Sequence, residues 1–340
     1  MEEHQQHRVV ASGIGSMPGE DLAEALRVVL GEVPDLPYLP ELPARGVTAA
    51  MTGRTLALVA ELGFDLQPAG WRLTDAPGVD HRRARSLLAQ DLDTLEEVAG
   101  ETGHFADGCE LKIQVCGPWT LAATVERPRG DKLLADHGAR RELAQALAEG
   151  VRVHVEDVRR RVPGARLVVQ VDEPALPAVL AAAVPTSSGF GRHRAVHPPV
   201  ASEALETVLG AITAAGAGSV VHCCAAEPPI SLLRGAGADG ISVDLAVLAA
   251  GAYDDLGDVL DQGGRVLLGV VPSLDPATVP TTSATVAKVL RLLDMLGLDP
   301  EESASHLVLT PSCGLAGASA AYARTALALV RTSAAGVGGG

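Results

Sequence analysis

Ser219-Val220-Val221-His222-Cys223-Cys224 is a β-branched run that ends on an imidazole and two thiols. Continuous apolar runs of this kind are the mark of strands buried on both faces. Residues i and i+2 of a strand share a face, so His222 and Cys224 converge while Cys223 turns away into a structural position. Working outward, seven more short runs read as strands: 9–15, 38–42, 111–117, 166–172, 240–245, 265–271 and 306–310. Helical patterns fall between them, at 138–162, 202–215 and 284–296 among others. Eight strands alternating with helices predict an α/β fold, a single (β/α)8 TIM barrel, with a doubly wound sheet as the rival. Residues 43–110 carry two helical patterns, 49–62 and 83–102, and read as an elaborated connection between strands two and three. No repeat or linker divides the chain, so one catalytic barrel is expected over 1–335, followed by a frayed glycine-rich tail at 336–340. The Pro-, Ser-, Gly- and His-rich stretch 184–199 reads as a mobile surface loop.

Acidic residues outnumber basic ones, 42 against 27, for a formal charge of −15. Polyanion binding needs a Lys/Arg patch, and the few basic clusters here sit in helical patterns as solvated faces, so no nucleic-acid partner is expected. No apolar run reaches spanning length, so no membrane association is expected either. The start of the chain is polar and acidic rather than signal-like, which points to the cytoplasm. Five cysteines, two of them adjacent, do not form a disulfide framework. A reducing compartment leaves them available as thiolates; Cys109 and Cys116 read as packing residues.

In barrels of this type, chemistry gathers at the C-terminal ends of the strands. Polar residues recur at those ends here: Ser16 after the first, Glu41 in the second, Asp172 and Glu173 at the fourth. His222 and Cys224 end the fifth, Asp244 the sixth, and Cys313 follows the eighth within Thr310-Pro311-Ser312-Cys313-Gly314. An imidazole with two thiolates is a soft, zinc-like donor set. Asp244 reads either as a further ligand or as a helix N-cap. The adjacent carboxylates of Asp172 and Glu173 point to different sides, so one can hold an ammonium group while the other orients loops. Gly13-Ile14-Gly15-Ser16 is a glycine-rich strand exit whose backbone N–H groups suit a carboxylate or phosphate; it lacks the spacing of a dinucleotide fingerprint.

These pieces together resemble the catalytic domain of cobalamin-independent methionine synthase, within the wider uroporphyrinogen-decarboxylase-like barrel group. The resemblance runs through Ile14-Gly15-Ser16, Gly117-Pro118-Trp119-Thr120, Gln170-Val171-Asp172-Glu173-Pro174-Ala175-Leu176, His222-x-Cys224, Ile241-Ser242-Val243-Asp244 and Pro311-x-Cys313-Gly314-Leu315. Their order is the family's, and they span essentially the whole chain. The resemblance implies zinc held by His222, Cys224, Asp244 and Cys313, with aspartate where the family usually has glutamate. It implies that Ile14, Ser16 and their neighbours bind the carboxylate of homocysteine, and that Asp172 and Glu41 hold its ammonium. Asp172 and Glu173 are then the catalytic carboxylates, and the reaction is methyl transfer to a zinc-activated thiol, yielding methionine.

Two departures qualify what the resemblance implies. The familiar enzyme has two similar barrels, and 340 residues accommodate one. The family carries an Asp and a His, thought to help protonate the folate leaving group, near Gly269-Val270-Val271-Pro272-Ser273-Leu274; neither is in register here. The methyl donor is therefore either methyl-tetrahydrofolate, with a loop histidine such as His193 or His197 as acid, or a methyl-corrinoid protein. Two other readings fit the same fold: a zinc-free decarboxylase of the barrel group, and a non-catalytic thiol- or metal-binding relative. Metal content separates the first from the synthase reading, and turnover separates the second.

Overall fold

A computed structural model describes residues 8–337. Among the described residues nine strands occur in chain order: β1 (Val10–Ala11), β2 (Gly63–Gln67), β3 (Gly70–Thr74), β4 (Glu110–Cys116), β5 (Arg166–Asp172), β6 (Gly218–Cys223), β7 (Gly240–Asp244), β8 (Arg265–Val271) and β9 (Leu307–Pro311). Seven of them form one curled parallel sheet in the order β1-β9-β8-β7-β6-β5-β4. Helices cover its outer face. Side chains cap the starts of several of them. Asp136 accepts from Ala139 N–H at the start of His137–Arg161, and Thr281 accepts from Ala284 N–H at the start of Thr282–Leu296. The latter ends on Gly297 in the left-handed region and buries Thr285, Val289, Leu292 and Leu293, a single stripe at helical spacing.

Six of the eight expected strands appear at nearly their expected places. The run at 9–15 pairs with β9 only at Val10 and Ala11. The run at 38–42 forms no ladder. Prolines at 37, 40 and 43 remove every third N–H, and proline cannot donate to a neighbouring strand. What survives is a pair of single parallel bridges, Tyr38 to Lys112 of β4 and Glu41 to Ser16 beyond β1. Leu39 N–H donates to Lys112 C=O at 2.9 Å, and Glu41 N–H to Gly15 C=O at 3.0 Å. The segment thus touches both margins of the seven-stranded sheet.

The connection at 43–110 holds the two expected helices, Met51–Leu58 and Val79–Thr102, and between them an antiparallel hairpin of β2 and β3 that was not expected. Gly336 and Val337 belong to the last helix, Ala320–Val337; 338–340, the rest of the expected tail, lie outside the described residues. In the 184–199 stretch, Pro185 bridges Arg192, and a helix begins at Pro198. Among the described residues no helix is long and apolar enough to cross a membrane.

Inside the curl the chemistry is layered. Leu36, Val168, Val220, Leu267 and Val308 pack as a separate apolar cluster toward the strand starts. Along β4 and β5, polar side chains replace apolar ones at every second position: Lys112 and Gln114, then Gln170 and Asp172. The period-two rule sends each set to one face, and all four are buried.

Candidate metal centre and amino-acid pocket

His222 lies in β6 directly beside Asp172 of β5 and Ser242 of β7. Its Nδ1 is 2.9 Å from Ser242 Oγ, which leaves Nε2 buried with no hydrogen-bond partner among the described residues. Cys224 follows β6, and Cys313 follows β9. Their sulfurs are 3.6 Å apart, and the ligand atoms of His222, Cys224 and Cys313 all lie within 4.8 Å of one another. Cys313 is the thiol held low, by its contact with Cys224 and then by His222; Cys224 is held high by sharing the same proton and by burial. An orphaned imidazole nitrogen beside two sulfurs sharing a proton fits a soft divalent ion such as zinc.

Asp244 is half-buried at the end of β7 and lies outside this three-residue group. Its Oδ1 accepts from Ala246 N–H at 2.9 Å, a local turn, and burial raises its carboxyl against that bond, with Cys313 and His222 acting on it in opposite directions. Cys223 faces the other way and is fully buried, its thiol pushed up to about 11 by burial.

The surroundings of the sulfurs are built by loops tied across the sheet margin. Leu315 N–H donates to Ser16 C=O at 2.8 Å, and a Cβ on Gly314 would lie 2.1 Å from Ser16 Oγ. Gly314 is therefore what lets the Ser16 side chain sit against the Cys313 turn. Ile14 is buried; its carbonyl accepts from Lys112 Nζ at 2.7 Å and from Gln170 Nε2 at 2.9 Å, which fixes the 14–16 turn from below. Gln170 Nε2 also donates to Asp172 Oδ1 at 2.7 Å.

Asp172 stands beside His222 and Glu41 beside Ser16, both buried, and burial raises both carboxyls, Asp172 to about 6 and Glu41 to about 7. His222 is the strongest opposing influence on the first, and Arg54 on the second. Arg54 Nε sits 3.8 Å from Glu41 Oε1 and also pairs with the buried Asp91. Lys112 is buried under the ring of Tyr38, and burial lowers its ammonium to about 7 against the pull of Asp172 and Glu41.

Glu173 points elsewhere. Its oxygens accept from Trp119 N–H at 2.8 Å, Thr120 N–H at 2.8 Å and Thr120 Oγ–H at 2.7 Å. A Cβ on Gly117 would lie 2.4 Å from its carboxyl carbon. Glu173 thus clamps the start of the helix Pro118–Thr124, so of the two expected catalytic carboxylates only Asp172 stands beside His222 on the side of the sulfurs.

The side chains that sequence reading passed over are Lys112, Gln114 and Ser242. The signal for the first two was their alternation in Glu110-Leu111-Lys112-Ile113-Gln114-Val115-Cys116, where two polar residues share one face of a buried strand.

A second cavity, of about 670 Å3, opens beside Asp244 and Ser312. Val271, Pro272, Leu274 and Leu292 form much of its wall. Of the two loop histidines, His193 is buried with Nε2 3.1 Å from Asp131 Oδ1, and His197 is exposed at the N-cap position of the helix Pro198–Ala214, its side chain making no capping bond.

The sequence model of the cobalamin-independent synthase catalytic domain matches residues 111–336, more than half of the chain and every strand from β4 to β9. The chain belongs to this cobalamin-independent synthase family. Within solved structures it is similar to a B12-independent methionine synthase from Shewanella sp. W3-18-1 in complex with selenomethionine, at 14% identity and a TM-score of 0.62, covering 97% of this chain and 98% of that one. That likeness establishes the shared fold. It is also similar to a 3-keto-D-glucoside 4-epimerase from E. coli, at 11% identity and a TM-score of 0.48, over 95% of this chain and 99% of that one. No curated protein matches the chain.

Proposed function

We propose that the chain transfers a methyl group to the thiol of homocysteine to give methionine, with zinc held by His222, Cys224 and Cys313 and with Asp244 as the fourth ligand. The observation that carries this reading is the trio of soft donors, gathered within 4.8 Å from two strand ends far apart in sequence. Zinc bound there would keep the substrate thiol deprotonated at neutral pH.

The other tasks fall to the chain's own side chains. The 14–16 turn, held from below by Lys112 and Gln170, receives the carboxylate through Ser16 and neighbouring N–H groups. Asp172 and Glu41 take the ammonium, and its arrival favours their ionised forms against the burial that raises them. Glu173 fixes the loop above them. The frame for this is a (β/α)8 barrel in which the 37–41 segment stands in the eighth place between β1 and β4. The site then sits at the C-terminal mouth, where such barrels carry their chemistry. Five free cysteines suit a reducing, cytoplasmic setting. The leaving group departs through the cavity beside Asp244 and Ser312, whose β8 side, Val271, Pro272 and Leu274, carries no acid; unless Asp244, Tyr253 or Lys288 on its other walls supplies the proton, this favours a methyl-corrinoid protein over methyl-tetrahydrofolate.

The test is methionine formation by zinc-loaded protein from homocysteine and a panel of methyl donors, with metal content measured beside it. About one zinc per chain is expected, and the Cys224→Ser and Cys313→Ser variants should lose most of it while staying folded. Near-stoichiometric zinc in the double variant would sink the assignment.

A further inference from the structure

Two loops gather positive charge on a chain whose formal charge is −15. The first, 126–132, follows the helix Pro118–Thr124 and carries Arg127, Arg129 and Lys132. The second, 181–197, follows the helix Leu176–Leu180 and carries Arg192 and Arg194. They leave the C-terminal ends of the paired strands β4 and β5, and side chains tie them together. Ser187 N–H donates to Asp131 Oδ1 at 3.2 Å, Ser187 Oγ lies 3.5 Å from Glu126 Oε1, and His193 Nε2 lies 3.1 Å from Asp131 Oδ1.

These bonds use up the acids of the two loops and leave the cations. Glu126 is buried against Arg72, and Asp131 holds Ser187 and His193. None of the five cations forms an ion pair among the described residues, whereas Arg152 pairs with Glu149 and Glu156, and Arg161 with Asp93, Glu96 and Asp157. Arg129, Arg192 and Arg194 are exposed.

Phe190 stands at the tip of the second loop, 99% exposed. Its turn is closed, not loose: Thr186 N–H donates to Gly191 C=O at 3.0 Å, and Gly189 N–H to Thr186 C=O at 2.8 Å, with Gly189 in the left-handed region. Buried Val184 and Val196 anchor the base. A lone exposed apolar side chain needs no explanation. An aromatic ring held out among unpaired arginines has the composition of an interface core, where Phe and Arg are enriched.

The complement of this surface is acidic with an apolar contact. A nucleic acid would run past the patch onto a surface whose remaining charge is strongly negative. Two copies of the chain, each at −15, repel across everything outside the patch. A short acidic segment meets the patch alone. We propose that these two loops form a docking surface for an acidic segment of a partner protein, with Phe190 as the apolar anchor and Arg129, Arg192 and Arg194 as the charged rim. Because both loops lie at the end of the sheet that carries the cysteines, the partner is held on the side of the metal centre. The inference goes beyond the methyl-transfer reading and does not depend on it.

The experiment is fluorescence anisotropy of labelled probes with the full chain. One probe is a short peptide alternating Asp and Glu with Leu, a second has every acid replaced by its amide, and the third is a single-stranded oligonucleotide of equal length. Wild type should bind the acidic peptide over the amide peptide, and less tightly as salt rises. Arg129→Gln/Arg192→Gln/Arg194→Gln should weaken that binding roughly 10-fold at low salt. Phe190→Ser should weaken it by a similar factor that salt leaves unchanged. All four side chains are exposed, so both variants should keep the wild-type unfolding midpoint. Arg159→Gln/Arg166→Gln, at the opposite end of β5, should bind as wild type does. No preference for the acidic peptide, or a loss in Arg159→Gln/Arg166→Gln as large as in the triple variant, overturns the proposal. Tighter binding of the oligonucleotide than of the acidic peptide overturns it in favour of a nucleic acid. Self-association in sedimentation that the triple variant abolishes overturns it in favour of a second copy of the chain.

Discussion

Asp172 closes β5 beside His222, and the next residue, Glu173, turns out beneath Gly117. Alternation along a strand was enough to predict that the two would part, and the polar strand end was enough to mark them. Which of them faced substrate was not legible, because the partners of Glu173 are backbone N–H groups of a helix start more than fifty residues earlier in the chain. The two side chains should accordingly fail in different ways. Asp172→Asn should weaken homocysteine binding by about 1–3 kcal/mol, the loss of a charge-assisted bond to an ammonium, and leave zinc content and stability near wild type. Glu173→Gln presents an amide N–H to donors that need an acceptor. It should cost about 1–3 kcal/mol in urea unfolding with little change in the affinity of whatever protein remains folded. If the effects were exchanged, Glu173 would be the substrate carboxylate and Asp172 the clamp.

β4 makes the same point for an element. Its burial was evident from Leu111, Ile113 and Val115, but a lysine and a glutamine within a buried strand conflict with that reading until the strand is seen to line a polar interior. The 38–42 segment and the β2–β3 hairpin show the opposite limit. Proline spacing had already removed the donors that a full second strand needs, and Phe64, Leu66, Trp71 and Leu73 alternate around a Pro-Ala-Gly turn. Both signals were present and were outweighed by the helical patterns on either side. The burial of Lys112 has a consequence for stability. Its folded pKa of about 7 lies below the ordinary lysine value of 10.5. The unfolded chain therefore binds more protons through this group between those two values, and stability rises with pH across that window. The contribution is complete above 10.5 and is lost as pH falls through 7. Lys112→Met should remove that rise. Unfolding free energy compared between the two proteins from pH 7 to pH 10 should diverge by up to about 1.4 kcal/mol per pH unit at the steepest point. Parallel curves would mean that Lys112 stays charged in the folded chain, held by Asp172 and Glu41.

For the molecule as a whole, the metal centre joins two strand ends that are about ninety positions apart in sequence, and the curl of the sheet is what brings them together. The spacing of His222 and Cys224 could be read from a strand's period. The meeting with Cys313 follows only once β6 to β9 lie side by side in parallel. The same curl sets the last constraint, on the methyl donor. The cavity beside Asp244 and Ser312 is bounded on the β8 side by Val271, Pro272 and Leu274, none of which can give up a proton; its proton-bearing side chains, Asp244, Tyr253 and Lys288, stand on the other walls. Of the loop histidines, His193 is turned onto Asp131, and His197 is exposed at a helix start with no capping bond from its side chain, away from this cavity's lining. A tertiary amine is a poor leaving group unless protonated, and general acid catalysis typically contributes about 10²–10⁴-fold. Methyl-tetrahydrofolate should therefore be a slow donor, while a corrinoid-bound methyl, whose leaving group needs no proton, should react faster. Initial rates with the two donors at equal concentration, on the same zinc-loaded protein, decide the matter. A folate rate equal to or above the corrinoid rate would require a proton source outside this wall, and a flat pH dependence of the corrinoid rate, beside a folate rate that climbs as pH falls, would confirm that the missing acid is what separates them.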